Sequence, residues 1–334
     1  MQQPVRVVRA DKGAVLVLPA DGSDEPVRVV LDRDGLVDTA AGDRVAPTVG
    51  DWVDVVGDHA TLVHERRTAL VRDTAGATSR VQSLAANIDV VLIAEHLDPD
   101  PDLGRIERML TLAWRSGARP VVVLTKADLV PDPEGMADDV AAVALAVDVH
   151  AVSVREGRGL DPIRALLADG VTLVVVGPSG AGKSTLVNAL AGRTVMDTGG
   201  QRNDGRGRHT TTHRELVPLA GGAMLIDTPG IRGVGVVADA DALGTTFADV
   251  AELADRCRFA DCHHTGDAGC AIEAALATGE LTERRFDSWR RLAKEAAYQA
   301  RRSDARLAAQ DKERGKRSTK DYQRSVRGPG RSRS

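Results

Sequence analysis

The chain has 334 residues, 43% of them apolar, which is enough material for two or three domains with a sizeable core. No apolar run approaches the roughly 20 residues of a membrane span, and residues 1–10 carry charges where a signal peptide is apolar, which predicts a cytoplasmic protein without a membrane partner. The formal net charge of −4 is unevenly distributed. Residues 284–334 contain 17 Lys and Arg against 6 Asp and Glu, whereas the rest of the chain contains 27 Lys and Arg against 42 Asp and Glu. The basic end is therefore expected to bind a polyanion. A solvated helix is the alternative for that end.

Residues 1–72 are predicted to form a small β-barrel. Asp- and Gly-rich turns separate short apolar strands at residues 5–8, 14–18, 26–31, 52–56 and 60–63. This pattern suits an OB-type barrel, a fold that often holds nucleic acid, although other small barrels share it. Trp52 is the only aromatic residue in this part, so any RNA contact here should rest on shape and phosphates and not on base stacking.

Residues 73–235 are predicted to form one α/β nucleotide-binding domain with a parallel sheet. Apolar strands alternate with longer amphipathic segments, which is typical of that class. The strands are expected at residues 88–94, 121–124, 149–152 and 171–176, and the helices at residues 103–116, 136–146, 160–167 and from about 182.

A phosphate-binding loop directly follows the last of these strands and opens a helix. Its glycines let the backbone wrap around phosphates, while Lys183 is expected to bridge β- and γ-oxygens and Ser184 to offer an oxygen to Mg²⁺. The predicted GTP-binding residues of this segment are Gly177, Pro178, Ser179, Gly180, Ala181, Gly182, Lys183, Ser184 and Thr185. Some 45 residues on, Asp227 ends an apolar run at residues 223–226, where its carboxylate is predicted to hold the Mg²⁺ shell and the amide of Gly230 to sense the γ-phosphate.

Guanine recognition is predicted for Thr125, Lys126, Ala127 and Asp128, which follow the strand at residues 121–124 and fit the pattern [NT]KxD. The Asp128 carboxylate can accept from N1–H and the N2 amine of guanine, a donor pair that adenine lacks, and the Lys126 stem can cover the base. Thr125 replaces the more usual Asn, which is expected to weaken one positioning contact. Ser153, after the strand at residues 149–152, is placed beside the guanine oxygen.

The order of these motifs is unusual, because the guanine-reading residues precede the phosphate loop instead of following it. A circular permutation preserves such a site, since it changes only where the chain is cut. The residues after Gly230 are then adjacent to a C-terminal domain, which could receive the nucleotide state directly.

Residues 236–310 are predicted to be a mainly helical zinc domain, with helices at residues 271–277 and 282–310. Cys257, Cys262, His264 and Cys270 comprise all three cysteines of the chain and one histidine, a donor set that suits one structural, tetrahedral Zn²⁺. Reduced cysteines without metal are the alternative, and His263 competes with His264. The final residues, 311–334, are predicted to be a disordered basic tail that contacts RNA phosphates.

Taken together, these motifs resemble ribosome small subunit-dependent GTPase A, the RsgA/YjeQ family, over nearly the whole chain. The resemblance rests on the guanine-reading motif, the phosphate loop, residues 205–215, Asp227 to Gly230 and the four zinc ligands. It implies an OB-fold, a permuted GTPase and a zinc-binding helical domain, acting as a monomer on GTP and GDP. It also implies a role in late maturation of the small ribosomal subunit, with rRNA contacts and stimulation of GTP hydrolysis by that subunit.

Residues 206–212 are predicted to act as a mobile switch whose threonines complete Mg²⁺ coordination. The choice among Thr210, Thr211 and Thr212 stays open, with Thr211 as the candidate. Ile231 stands where many GTPases place a water-orienting Gln, and the family resemblance points to His209 for that role, so intrinsic turnover should be slow. Two other functions are weighed against this one: a P-loop ATPase or kinase, which the Asp128 motif opposes, and a zinc-dependent DNA-binding regulator.

Overall fold

The computed structural model of the protein describes residues 3–19, 25–73, 81–196, 215–227 and 239–301. The N-terminal strands are β1 (Val5–Asp11), β2 (Ala14–Leu18), β3 (Val27–Val30), β4 (Val37–Thr39), β5 (Arg44–Val45), β6 (Trp52–Val56) and β7 (His59–Val63). Five of them close a ring in the order β1-β2-β3-β7-β6-β1, with β3 and β7 parallel. These are the five strands expected from the sequence, and the ring is an OB-type barrel. The short β4 and β5 carry too few residues to show an alternating pattern.

Strand β1 belongs to two cores at once. Val7 points into the barrel among Val15, Val53 and Val63, whereas Val8, on the opposite face, packs against the α/β domain. Successive side chains of a strand face opposite sides, so a strand buried on both faces shows no polar alternation. Strand β1 therefore joins the barrel to the rest of the molecule.

A hairpin that the sequence did not predict, β8 (Ala69–Asp73) with β9 (Val81–Ala86), forms its own two-stranded sheet after the barrel. Its Leu70 and Leu84 are buried in the core that also contains the first helix of the α/β domain. It connects the barrel to the central sheet.

The central sheet has the order β12-β11-β10-β13-β15-β14, parallel except for β14. Its strands are β10 (Val90–His96), β11 (Arg119–Thr125), β12 (Asp148–Ala151), β13 (Thr172–Val176), β14 (Glu215–Pro218) and β15 (Met224–Asp227). Strand β13, which carries the phosphate loop, lies between β10 and β15. One of these neighbouring strands precedes the loop in the sequence and the other follows it. The permuted order is thus accommodated within one continuous sheet, which β14 extends to β1 of the barrel at Arg9 and Glu215.

Helices α1 (Leu103–Ser116), α2 (Pro133–Ala141), α3 (Asp161–Arg164) and α4 (Lys183–Ala191) cover this sheet. Helix α1 has the predicted bounds, because Asp102 caps its start and left-handed Gly117 ends it. The bounds expected for α2, residues 136–146, are wrong. Asp132 and Pro133 start this helix three residues earlier, and it ends at Ala141.

The C-terminal part is helical, with α5 (Ala240–Thr246), α6 (Ala248–Asp255), α7 (Ala271–Thr278) and α8, residues 283–301. Buried Phe247, Val250, Ile272 and Leu292 form its core. None of the helices in the described ranges is long and apolar enough to cross a membrane. The fold class predicted from the sequence is confirmed.

Candidate nucleotide and metal sites

The phosphate loop leaves β13 at Gly177, whose backbone has a φ of 146°. A Cβ atom there would lie 2.1 Å from the carbonyl oxygen of Ala94 on β10, so only glycine fits. Gly180 and Gly182 also have positive φ angles, of 83° and 71°. The residue types in this loop are therefore required by its backbone path, which turns the chain sharply into α4.

Helix α4 begins at Lys183, and its buried Leu186, Val187 and Leu190 pack it onto the sheet. The Lys183 ammonium group folds back over the loop and donates to the carbonyl oxygens of Gly177, at 2.9 Å, and Pro178. Ser184 and Thr185 occupy the next positions of the first turn. A helix N-terminus with a lysine over the preceding loop attracts phosphate oxygens.

Thr125, at the end of β11, connects the predicted base-reading segment to the phosphate loop. Its buried hydroxyl donates to the carbonyl oxygen of Ala181 at 2.9 Å, and the carbonyl oxygen of Glu95, at 3.2 Å, is a second acceptor within reach of the same hydrogen. The sequence suggested that Thr in place of Asn weakens a positioning contact, yet the hydroxyl reaches the loop. Lys126 follows in a left-handed conformation with a φ of 62°, which is uncommon outside glycine and is found at functional sites.

Asp128 and Ser153 meet although 25 residues separate them in sequence. The fully buried Ser153 donates its hydroxyl to Asp128 Oδ1 at 2.7 Å. This hydrogen bond lowers the pKa of the Asp128 carboxyl below its ordinary value, against the effect of burial and aided by the nearby charges of Arg155 and Arg158. Asp128 is thus held ionised and oriented, as an acceptor for two N–H groups must be.

The turn after β12 fixes Ser153. Ser153 and Arg158 exchange two backbone hydrogen bonds of 3.0 Å, and the Arg158 guanidinium donates to the carbonyl oxygen of Ala127 at 3.1 Å. Gly159 closes the turn where a Cβ would lie 2.2 Å from the Ala151 carbonyl oxygen. The two predicted base-reading segments are therefore bound to each other.

The structure also identifies a positioning group that the sequence analysis missed, Glu95 at the end of β10. This carboxylate is 1% exposed and receives the Arg105 side chain at 2.7 and 3.0 Å, which raises the pKa of Arg105. The pair fixes α1 to the strand whose Glu95 carbonyl accepts from Thr125. A charged residue at the end of an otherwise apolar strand is the signal that could have found it.

Strands β11, β12, β13 and β15 are parallel neighbours or near neighbours, so their carboxyl ends share one edge of the sheet. That edge carries the base-reading segments and the phosphate loop, and Asp227 is the last residue of β15. The predicted His209, Thr211 and Gly230 lie outside the described residues, as does the side chain of Asp227. Ser184, in the first turn of α4, has a hydroxyl oxygen of the kind that Mg²⁺ prefers as a ligand.

The four predicted zinc ligands come together between α6 and α7. One ligand atom from each of Cys257, Cys262, His264 and Cys270 lies within 4.8 Å of the others. His264 Nδ1 is 3.6 Å from Cys257 Sγ and 3.4 Å from Cys270 Sγ, and its ring packs against Phe286 and Trp289 of α8. Three thiolate sulfurs and one imidazole nitrogen fit a closed tetrahedral zinc site, so the residues suit the metal.

The cluster of ligand atoms contains His264 and not its neighbour His263. His264 has a φ of 57°, and the neighbouring backbone N–H of His263 donates to Asp267 at 3.0 Å. Within the cluster, partial burial raises the pKa of Cys262 to about 12. Burial acts on Cys257 in the same sense, yet backbone N–H donors from Ala271 and Ile272 lower its pKa overall. A bound cation would favour all three thiolates.

The fold and these two sites define a P-loop nucleotide-binding protein with a permuted strand order and an appended helical unit that carries a Cys/His cluster. The family model described as RsgA GTPase matches residues 63–237. The small ribosomal subunit biogenesis GTPase RsgA of Streptomyces coelicolor is 47% identical, over 94% of this chain and 86% of its own length. RsgA 1 of Listeria monocytogenes is 45% identical, over 81% and 78%. The chain belongs to the RsgA GTPase family.

Solved structures agree with the fold. The crystal structure of YjeQ from Thermotoga maritima matches with a TM-score of 0.64 and 22% identity, over 89% of this chain and 99% of that one. YloQ, described as a circularly permuted GTPase, matches with a TM-score of 0.60 and 23% identity, over 90% and 96%. The predicted family and the permuted fold are confirmed.

Proposed function

We propose that the protein hydrolyses GTP to GDP and phosphate as a late maturation factor of the small ribosomal subunit, which stimulates the reaction. The observation that carries the nucleotide assignment is the Ser153–Asp128 hydrogen bond of 2.7 Å, close to a Thr125 hydroxyl that contacts the phosphate loop. The ribosomal assignment rests on the relatives, which are named small ribosomal subunit biogenesis GTPases.

The nucleotide would bind along the carboxyl edge of the sheet. Asp128 accepts from the guanine N1–H and N2 amine, Ser153 lies beside the guanine oxygen, and the Lys126 stem covers the base. The glycine-rich loop surrounds the phosphates with amide donors, and Lys183 moves from its loop carbonyls to the β- and γ-oxygens. We assign Ser184, Thr211 and Asp227 as the residues that would hold Mg²⁺, which would neutralise charge on the phosphate oxygens.

Hydrolysis needs a group that orients the attacking water, and we assign this role to His209. Isoleucine at position 231 has no side-chain polar atom for it. The imidazole of His209 would hold the water in line with the γ-phosphorus in the complex with the small subunit, and the Gly230 amide would contact the γ-phosphate. Turnover without subunits is then slow.

Guanine selectivity is tested by Asp128→Asn, with Asp139→Asn on the exposed side of α2 as the matched control. The asparagine amide presents a donor where guanine also has donors, so GTP affinity should fall about a hundredfold or more, measured with a fluorescent GTP analogue. The control should bind as wild type, and ATP should not compete with GTP. Equal GTP affinity in the two variants, or equal competition by ATP, would overturn the assignment.

We assign a structural role to the zinc ion, because four protein ligands leave no open position. The proposed domains are the barrel at residues 1–72, the permuted GTPase at 73–235, the zinc-binding helical domain at 236–310 and the basic tail at 311–334. The tail would contact rRNA phosphates, and the salt dependence of subunit binding by a chain truncated after residue 310 tests this. The protein would act as a cytoplasmic monomer.

A further inference from the structure

An open cavity of about 480 Å³ lies where α1 meets α8, outside the nucleotide and metal sites. Asp102, Leu103 and Gly104, at the start of α1, form one side, and Arg284, Ser288 and Arg291 of α8 form the other. Gly104 keeps the two sides close, since a Cβ there would lie 3.1 Å from Arg291 Nη2 and 4.0 Å from Ser288 Oγ. Side chains from two different parts of the chain therefore face one space.

The Ser288 hydroxyl is a buried polar group without a hydrogen-bond partner among the described residues. Ser288 is 3% exposed, and its oxygen faces Gly104 across the cavity. Leaving a buried hydroxyl unsatisfied costs stability, so such a group points to a ligand that completes its hydrogen bonding. The Ser288 hydroxyl can therefore donate a hydrogen bond to a ligand at the cavity wall, or accept one from it.

The charges around the cavity decide which kind of ligand fits. Arg284 is bound by Glu107, Asp287 by Arg290, and Asp102 by Arg105. Arg291 lines the same wall without an ion pair or hydrogen bond in the described part of the chain. The lining carries two Asp and two Arg and so has no net charge, but the Arg291 guanidinium is not engaged by any of these pairs and can bind an acceptor oxygen of a ligand.

The start of α1 adds donors to this site. The helix has 14 residues, and the Asp102 side chain caps only the N–H of Arg105, which leaves the first amides of Leu103 and Gly104 unbonded within the described ranges. Amides at a helix N-terminus carry partial positive charge and bind anions. A guanidinium fork, a hydroxyl and two amides together match the several acceptor oxygens of a phosphate group.

We propose that this cavity binds a backbone phosphate of RNA. The identity of the polymer rests on the proposed ribosomal function, while the phosphate chemistry rests on Ser288, Arg291 and the α1 N-terminus. Helix α8 lies largely within the strongly basic end of the chain. The cavity is open to solvent, so an RNA strand could pass over its mouth. The Asp102 and Asp287 carboxylates also line the cavity, which disfavours a free anion and favours a phosphate held in place by neighbouring contacts of a polymer.

The test measures binding of the full-length protein to purified small ribosomal subunits at several salt concentrations, using Ser288→Ala and Arg291→Gln. Lys294→Gln is the matched control, because it removes the same charge from an exposed side chain of α8 that lies outside the cavity lining. Arg291→Gln should weaken binding and reduce the salt slope by about 1, and the control should leave the slope closer to wild type. Ser288→Ala should weaken binding about two- to tenfold.

Thermal unfolding separates a binding role from a structural one. Removing an unsatisfied hydroxyl should leave the stability of Ser288→Ala equal to or above that of wild type, whereas a hydroxyl with a structural partner would lower it. A less stable Ser288→Ala, or equal subunit binding and salt slope in all three variants while wild type binds, would overturn the proposal.

Titration with inorganic phosphate alone distinguishes the source of the phosphate. Weak or undetectable binding is expected, and tight Arg291-dependent binding of free phosphate with unchanged subunit binding would overturn the RNA assignment. Failure of the ribosomal function itself would look different, since wild type and every variant would then fail to bind subunits.

Discussion

Thr125 is the residue at which the base-reading and phosphate-binding halves of the nucleotide site touch. Its hydroxyl donates to the carbonyl of Ala181, a residue with no exposed surface, so the acceptor has no access to water. Buried acceptors that lose their donor are costly. The threonine at this position thus makes a contact that fixes the loop.

Thr125→Val keeps the shape of the side chain and removes only this hydroxyl. GTP and GDP affinity should each fall about tenfold, because the loop loses a bond of roughly 1 kcal/mol and leaves a carbonyl unpaired. Equilibrium titration with fluorescent nucleotides measures this. Thr61→Val, whose hydroxyl makes an exposed contact in the barrel, is the control. Equal affinities for the two variants would show that the contact does not hold the loop.

At the scale of elements, the Cys/His cluster connects the end of α6, the start of α7 and, through the His264 ring, helix α8. Bound zinc is expected to contribute on the order of 10 kcal/mol to this unit, in addition to its apolar core. The helices around it should depend on the metal.

His264→Ala should therefore lose bound zinc and lower the unfolding temperature of the helical unit. His263→Ala, which removes the same ring from the neighbouring position outside the cluster, should retain one zinc per chain. Elemental analysis of the purified variants, with circular dichroism melts, measures both effects. Zinc loss in His263→Ala and retention in His264→Ala would reverse the assignment.

The sequence predicts best what neighbouring residues determine. The glycines of the phosphate loop, the capped helix α1 and the cysteine spacing are local features, and each was foreseen. The Thr125–Ala181 contact, the β8–β9 hairpin and the pairing of β14 with β1 depend on which distant segments become neighbours. The order of strands in a sheet is determined by how the elements pack on its two faces. The spacing of apolar residues along the chain does not predict that order.

At the scale of the whole molecule, a buried ionic cluster fixes the helical unit to the α/β domain. Glu107 of α1 has no exposed surface and receives Arg284 and Arg285 of α8, while Arg285 also binds Asp249 of α6. Thr111 and Thr246 add a hydroxyl contact of 3.1 Å across the same interface. Such a cluster holds the two parts in one orientation.

Removing one partner of a buried ion pair leaves the other charge uncompensated. Glu107→Gln should lower the unfolding free energy by about 3 kcal/mol, at the low end of the usual range because Asp249 remains beside Arg285. Glu295→Gln breaks the half-exposed pair with Arg108 at the same interface and should cost about 1 kcal/mol or less. Urea unfolding of the two variants compares them, and equal losses would mean that burial does not strengthen the Glu107 cluster.

The proposed activity of the whole molecule is GTP hydrolysis stimulated by the small ribosomal subunit. The most direct test is the rate of GTP hydrolysis with and without purified small subunits, with ATP as a parallel substrate and Ser184→Ala and His209→Ala as comparators. We expect slow basal turnover, strong stimulation specific to GTP, and loss of the stimulated rate in both variants. Fast turnover without subunits, or a rate that subunits leave unchanged, would contradict it.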